Sequence, residues 1–327
     1  MKKVLPFSLL TILLMVLLSS CGRNSSTTPG TASVYFSWWD GVPPDSYEPL
    51  VIVAAPIGLE LTADEYSSVP FPADRDEYLE EVIDCYNSGA AVVHLVPIGL
   101  EPDTAGSIFD WGWDNYTFII DYVAENCPGM LIWADITSAS SDIIDSLLAD
   151  TSVSFVSPVL GRYLYNCEWS GSDAPAYNGA EINFWQSAEV KILPFIVSPQ
   201  QADFISRYLL VYYLQPPFHF NIAMCWENNT ASTTDVLSAM INTLPDTSAK
   251  IIACTQEHPS ELMGLAIAEG YHIAVGMKYA VYWPGDTFNP LTSTAFMVDK
   301  AVELAAQMNR EIATPEEARQ LLDAYRW

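Results

Sequence analysis

The sequence predicts an α/β fold of eight strand–helix units, a (β/α)8 TIM barrel, in a single domain. Eight short apolar segments alternate with amphipathic stretches from residue 50 onward. The segments are apolar almost throughout, which is typical of strands buried on both faces of a parallel sheet. A doubly wound sheet is the alternative, but no glycine-rich phosphate loop follows the first segment.

The predicted strands are rich in β-branched and other apolar residues. They span residues 50–55, 90–96, 129–135, 152–157, 190–196, 217–224, 249–254 and 271–276. Between and after them, apolar residues at helical spacing predict helices over 73–88, 114–126, 140–149, 179–188, 199–213, 232–243, 259–269 and 291–308. Two stretches, 97–113 and 158–178, are longer than ordinary loops and follow strands, on the face where barrel sites are built.

A last short helix is predicted to begin at Thr314. Threonine is a good N-cap, Pro315 suits the first helical position, and Glu317 can return a hydrogen bond to the cap. Two histidines lie near the amino ends of predicted strands: His219 in the sixth strand and His272 in the eighth. The amino ends of barrel strands serve stability, so a structural role is expected for both histidines.

The first 20 residues predict a secretory signal peptide. Lys2 and Lys3 precede an apolar run over residues 4–18, and small residues lead into Cys21. This order resembles a lipobox, in which the cysteine thiol receives a lipid, whereas a plain membrane anchor would need about 20 apolar residues. We therefore expect a tether over 21–34, a barrel domain over 35–327, and a protein exported and lipid-anchored at the cell envelope, periplasmic or outer-surface.

The charge and the cysteines exclude several classes of function. The formal net charge of −27 opposes binding to nucleic acid or to anionic headgroups, so the expected membrane contact is the lipid on Cys21 alone. The other five cysteines show no metal-ligand spacing and no disulfide framework; they are Cys85, Cys127, Cys167, Cys225 and Cys254.

Four segments together resemble a known family. They read VIVAAPIGLE at 51–60, SGAAVVHL at 88–95, AIAEGYHIAVGMKYAVY at 266–282 and VDKAVELAAQMNREIATPEEARQLL at 298–322. Their order and spacing are similar to the β-keto acid cleavage enzymes, also called 3-keto-5-aminohexanoate cleavage enzymes. The resemblance implies a zinc-dependent TIM barrel that condenses a β-keto acid with acetyl-CoA, releasing acetoacetate and a new CoA thioester.

The resemblance also implies a zinc site that this sequence has changed. The family's His-x-His pair falls on His94 and Val96, and its zinc-binding glutamate falls on Lys278. The neighbouring aspartate of the family falls on Tyr279, and its arginine falls on Ala274. Catalytic zinc needs about three protein ligands, and a lysine ammonium would repel the ion. We therefore expect no metal site and no cofactor, although zinc is the family's metal.

Glu60, His94 and Lys278 are the candidate catalytic residues. Glu60 matches an acidic residue of the family's first-strand loop, and one hypothesis pairs it with Lys278 in the place of the zinc ion. A second hypothesis makes Lys278 a Schiff-base nucleophile with His94 as its base. His94 is also compatible with a plain core histidine that is hydrogen-bonded to a neighbour.

Four further polar residues follow predicted strands, at the end where barrels hold ligands. They are the candidate ligand-binding residues Asp135, Thr137, Glu227 and Glu257. The leading interpretation is a non-catalytic, zinc-free barrel that binds a small molecule or an envelope protein. The alternative is an active carbon–carbon lyase or acyltransferase with a rebuilt site, which uses a Lys278 Schiff base or a residual metal at His94.

Overall fold

The computed structural model describes residues 47–56, 72, 75–95, 113–135, 147, 150, 152–157, 182–223, 234–246, 248–255, 259–280 and 291–324. All of them lie in one compact unit that spans residues 39–327. The predicted signal peptide, Cys21 and the tether lie outside the described residues.

Nine strand segments lie close to the eight predicted strands. They are β1 Ile52–Ala54, β2 Val92–Leu95, β3 Leu131–Asp135, β4 Val153–Ser157, β5 Lys191–Ile192, β6 Phe195–Ile196, β7 His219–Ala223, β8 Ala249–Ala253 and β9 His272–Val275. The segments β5 and β6 together replace one predicted strand, because Leu193 and Pro194 interrupt it. A proline has no backbone N–H to donate to a neighbouring strand, which explains the break.

The described helices follow the strands in the predicted order; of the helix predicted over 140–149, only Leu147 is described, and it is helical. They are α1 Arg75–Asn87, α2 Trp113–Asn126, α3 at 182–187, α4 Pro199–Phe204, α5 Thr234–Thr243, α6 Pro259–Ala268, α7 Thr294–Gln307 and α8 Pro315–Leu321. Helix α4 continues through a π-helical turn at Ile205–Leu209 to Leu210–Tyr212. The capping box predicted for α8 is confirmed, since Thr314 and Glu317 exchange both hydrogen bonds. Among the described helices, none has the length and apolar character needed to cross a membrane.

The strands form one parallel sheet in the order β5-β4-β3-β2-β1-β9-β8-β7-β6. Its first and last strands, β5 and β6, are neighbours in the chain. The Leu193 N–H donates to Val156 O of β4 at 3.0 Å, and the Asn221 N–H of β7 donates to Pro194 O at 3.0 Å. The sheet therefore curls in the manner of a TIM barrel, as predicted.

One face of the sheet encloses a common core. Side chains from alternate strand positions, including Val53, Trp133, Phe155 and Ile251, pack together in it. Residues of α8 and the segment after it join this core at the amino ends of the strands: Ala318, Leu321, Leu322 and Ala324. The carboxyl ends of the strands lie at the opposite end of the core, and the polar candidate residues are found there.

Candidate functional site

Three described elements bring polar side chains to the carboxyl end of the sheet. His94 is the third residue of β2, Asp135 is the last residue of β3, and Lys278 lies in the turn after β9. All three are buried. Parallel strands that lie side by side end at the same edge, so residues distant in sequence meet here.

Lys278 and Asp135 form a buried ion pair. The Lys278 Nζ atom lies 3.4 Å from Asp135 Oδ2, and the same oxygen lies 3.6 Å from His94 Nε2. The sequence does not predict this contact, because it indicates only a ligand-binding role for Asp135 and suggests Glu60 as the partner of Lys278. Glu60 lies outside the described residues, so the hypothesis of a Glu60–Lys278 pair stays a prediction.

His94 is held in a closely defined orientation. Its ring stacks on Trp133 with centroids 3.7 Å apart and an interplanar angle of 4°. Its Nδ1 atom lies 3.1 Å from the hydroxyl oxygen of Tyr279. Burial, followed by the charge of Lys278, lowers the pKa of His94 to about 4, although Asp135 opposes the shift. The imidazole is therefore neutral near pH 7, and it is both a buried histidine with a hydrogen-bonding neighbour and a member of the site.

Tyr279 links His94 to the opposite side of the barrel-like sheet. Its hydroxyl lies 3.5 Å from Nδ2 of Asn221, a fully buried residue of β7. The Oδ1 atom of Asn221 has no hydrogen-bond partner among the described residues. A buried polar atom without a partner costs free energy, so this oxygen is available to a donor group of a bound molecule. Sequence reasoning missed Asn221, because a single polar residue within an apolar strand gives only a weak signal.

A second polar chain fixes Trp133, on which His94 stacks. The Trp133 Nε1–H donates to Ser157 Oγ at 2.7 Å, and the Ser157 hydroxyl donates to Leu193 O at 2.8 Å. Ser157 is the last residue of β4. These bonds fix the indole plane, and the stacked imidazole is thereby prevented from turning away from Asp135.

The turn that carries Lys278 depends on a glycine. Gly276 has φ +135°, and a Cβ atom there would lie 2.2 Å from Ala55 O. L residues rarely adopt this backbone conformation, and the carbonyl of Ala55, the residue after β1, leaves no space for a side chain. The same carbonyl accepts a hydrogen bond from the Lys278 N–H at 3.2 Å. The close approach of the two backbones therefore sets the position of Lys278.

Helix α7 anchors the other side of this turn. Thr294 Oγ1 accepts from the Met277 N–H at 3.2 Å and lies 3.4 Å from Pro56 O. Glu81 of α1 accepts from the N–H of Thr294 and from that of Ala295, the latter at 3.0 Å. Burial raises the pKa of Glu81, and the two N–H donors oppose that shift. By accepting from these N–H groups, Glu81 satisfies donors that a helix amino terminus leaves without intrahelical partners, and it thereby supports the turn through Thr294.

The described donor set does not fit a catalytic zinc ion. Within the described ranges, no group of three His, Cys, Asp or Glu side chains is placed to bind one metal. His94 and Asp135 supply two donors, whereas catalytic zinc takes about three protein ligands. The Lys278 ammonium lies against the Asp135 oxygen that a metal would need, and it would repel a dication at this distance.

Several other candidates fall outside the described residues. They are Glu60, Val96, Thr137, Glu227 and Glu257, together with most of the two long loops.

The described cysteines, Cys85, Cys127 and Cys254, are buried and free, and burial raises the pKa of each thiol. His272 accepts a hydrogen bond from the Val51 N–H at 3.2 Å, which agrees with the structural role expected for it.

Comparison with known proteins adds sequence relatives. The family model described as beta-keto acid cleavage enzyme matches residues 175–323. A 3-keto-5-aminohexanoate cleavage enzyme of Acetoanaerobium sticklandii is 26% identical over 282 residues, which are 84% of this chain and 98% of that protein. The enzyme of the same name from Fusobacterium nucleatum is 27% identical over 281 residues, with the same coverage.

Comparison with solved structures adds neighbours in fold. The apo structure of ObcA has a TM-score of 0.59 and 15% sequence identity, and the match covers 77% of this chain and 65% of that chain. A binary complex of ObcA with oxaloacetate has the same TM-score and identity and is covered to 67%. At this level of identity, the structural match supports the fold alone.

Proposed function

We propose that this chain is a divergent, zinc-independent member of the β-keto acid cleavage enzyme family, and that it binds a small keto or carboxylate compound without cleaving it. One observation carries this proposal: the buried ammonium of Lys278 lies 3.4 Å from Asp135, beside His94. A fixed cation of the chain thereby takes over the charge that a metal ion would otherwise supply.

Four side chains can each have a different role in binding a ligand: Lys278, His94, Asp135 and Asn221. The positive charge of Lys278 attracts a carboxylate or carbonyl oxygen of the ligand, because charge-assisted hydrogen bonds are the stronger ones. Neutral His94 presents one N–H and one lone pair, with Nδ1 directed to Tyr279. Asp135 holds the ammonium in place, and the Oδ1 of Asn221, which has no partner among the described residues, can accept from a ligand hydroxyl or enol.

Metal analysis and ligand titration test the proposal on the purified full-length chain. We expect much less than one zinc per chain after incubation with zinc and desalting. Stoichiometric zinc that disappears in His94→Ala would overturn the zinc-independent assignment. Acetoacetate and butyrate, which differ in the keto group, serve as calorimetric probes for binding.

A matched lysine variant locates the binding. Lys278→Met should abolish binding of either probe, whereas Lys300→Met should not, because Lys300 lies on α7 and pairs at the surface with Glu303. Equal binding by both variants would contradict the role of Lys278. Turnover of acetoacetate, or of its thioesters, by the wild-type chain would contradict the non-catalytic part of the proposal.

The same contacts favour one alternative, a lyase that works through a Schiff base. The unprotonated Lys278 nitrogen would attack the ketone carbon, and water would leave as the iminium forms. The iminium would then accept the electron pair of the breaking carbon–carbon bond. His94, which is neutral near pH 7, or Asp135 would take a proton from the Lys278 ammonium before the attack. The same group would pass that proton, and the one that the nitrogen loses after the attack, to the carbonyl oxygen, which leaves as water.

Borohydride trapping separates this alternative from simple binding. Reduction in the presence of acetoacetate would fix the iminium as a stable secondary amine on Lys278, visible by peptide mass spectrometry. The binding proposal expects no such adduct. An adduct on Lys278 that is absent from His94→Ala would establish the lyase instead.

The proposal also includes an envelope location. The order of residues 2–21 supports export and lipid attachment at Cys21, with the membrane as a partner through that lipid and an envelope protein as a second possible partner. A protein outside the cytoplasm has no ready supply of acetyl-CoA, which argues against the family reaction independently of Lys278.

We also infer that the curled sheet is a closed (β/α)8 barrel. Residues 191–196 pair with β4 through β5 and with β7 through β6, so one interrupted strand joins both edges of the sheet. This inference supports a single barrel domain over 35–327, with its ligand site at the carboxyl ends of the strands.

A further inference from the structure

A cavity of about 350 Å³ lies at the end of the sheet opposite to the Lys278 site. Lys191 and His219, the first residues of β5 and β7, line it together with Asp323, which follows α8. Its volume is within the range of small-molecule sites, which begins at about 300 Å³. The proposed function makes no use of this end of the sheet.

His219 gives this cavity an unsatisfied polar group. The side chain is only 4% exposed, and neither ring nitrogen has a hydrogen-bond partner among the described residues. Burial, followed by the charge of Lys191, lowers the pKa of His219 to about 3, so the ring is neutral near pH 7. It therefore offers one N–H donor and one lone pair. The sequence predicted only a structural role for His219, but no described partner fills that role.

The charged lining contains both signs. Lys191 Nζ lies 2.7 Å from Asp323 Oδ2, and Glu189 is a second carboxylate of the lining. Both acidic residues have left-handed backbones, with φ 61° at Glu189 and 44° at Asp323. Each is the residue that closes a helix, and the next N–H bonds back to that helix, Val190 N–H to Trp185 O at 3.2 Å and Ala324 N–H to Arg319 O at 2.9 Å. Leu214 and Pro194 supply apolar lining beside these charges.

We propose that this cavity is a second binding site, for a small amphoteric compound of the α-amino acid class with an apolar side chain. A plain carboxylate would meet two carboxylates of the lining, and a plain amine would meet the Lys191 ammonium. A molecule with both groups matches both signs. Its carboxylate accepts from Lys191 and the His219 N–H, and its ammonium donates to Asp323 and Glu189.

The test uses the purified full-length chain and three probes of one shape. L-Leucine carries both charged groups, 4-methylpentanoate lacks the ammonium, and 3-methylbutylamine lacks the carboxylate. We expect L-leucine at 100 times its Kd to raise Tm by about 4 °C, and we expect neither analogue to do so at the same concentration. Equal shifts from all three probes, or none from L-leucine, would overturn the proposal.

Matched variants locate the effect at this cavity. Lys191→Met should weaken L-leucine binding at least 10-fold in calorimetry. Lys250→Met should leave it unchanged, because Lys250 donates to backbone oxygens such as Pro245 O at 3.0 Å and is not part of the lining. Wild-type binding by Lys191→Met would contradict the assignment. If that variant does not fold, the comparison of the three probes on the wild-type chain still decides the matter.

A crystal structure with saturating L-leucine gives the final outcome. Density for the amino acid against Lys191 and His219 supports the site, whereas ordered water alone on His219 overturns it. Lys278→Met, assayed at a temperature at which it remains folded, should keep full L-leucine binding, because Lys278 lies at the opposite end of the sheet. The two proposals therefore fail separately.

Discussion

Lys278 and Asp135 are 143 residues apart in the chain, yet their charged atoms lie 3.4 Å apart in the interior. Asp135 ends β3, and Lys278 lies in the turn after β9. A buried pair of this kind is costly to form but more costly to break, because removal of one partner leaves the other charge without compensation.

Lys278→Met should therefore destabilise the fold by about 3–5 kcal/mol. The double variant Lys278→Met/Asp135→Asn removes both charges, and it should be more stable than the single lysine variant. Urea unfolding of the wild type, both single variants and the double variant measures the coupling. If the two single costs simply added, the ion pair would have no energetic role.

Gly276→Ala should destabilise the fold by at least about 3 kcal/mol, because its Cβ would overlap Ala55 O and φ is +135°. Gly129 is the matched control: its φ is +79°, but a Cβ there would lie 3.6 Å from the nearest side-chain atom. Gly129→Ala should cost about 1–2 kcal/mol. Thermal unfolding compares the two variants, and equal costs would show that the approach of Ala55 does not matter.

Stability should fall as the pH drops from about 6.5 toward 4. Burial lowers the pKa of His272 to about 3 and that of His94 to about 4. Below pH 6.5 the unfolded chain takes up protons that the folded chain does not, so each such histidine removes about 1.4 kcal/mol per pH unit.

His272→Asn isolates one of these contributions. The asparagine oxygen can still accept from the Val51 N–H, which His272 Nδ1 accepts at 3.2 Å, but the side chain cannot titrate. Between pH 6 and 4.5, the free energy of unfolding should fall less steeply in this variant, by about 1.4 kcal/mol per pH unit. An unchanged slope in urea titrations would show that His272 is not neutral in the fold.

Cys21→Ser should release the protein from membranes. The wild-type chain should carry a lipid on Cys21, which adds mass to the mature amino terminus, and should remain with the membrane fraction. The serine variant cannot form the thioether and should lose the added mass. Mass spectrometry of the amino-terminal peptide and cell fractionation check this, and an unmodified Cys21 in the wild type would refute lipidation.

Much of the fold was predictable because strand and helix signals are local. The apolar runs at 129–135 and 249–254 lie within two residues of β3 and β8, since burial on both sheet faces leaves a continuous apolar pattern. Thr314, Pro315 and Glu317 predicted the start of α8 because a capping box depends on neighbours in sequence. The break at Pro194 was not predicted, although proline gives a signal for it.

The candidate site was predictable only in part. The resemblance identified His94 and Lys278, and strand ends identified Asp135, but nothing local showed that the three would touch. Asn221 gave little signal within an apolar strand, and the cavity beside His219 gave none. These features depend on which strands become neighbours and on the register between them.

The sequence by itself determined the order of the described strands and helices, and it predicts an export signal at Cys21, because these depend on residue type and local spacing. The resemblance to the cleavage enzymes adds that Lys278 falls where that family has a zinc-binding glutamate. Only the tertiary structure decided that Asp135 lies against Lys278, and that His94 faces both Asp135 and Tyr279. The reason is physical: ion pairing and desolvation depend on distances of a few ångströms between segments more than a hundred residues apart, and packing sets those distances.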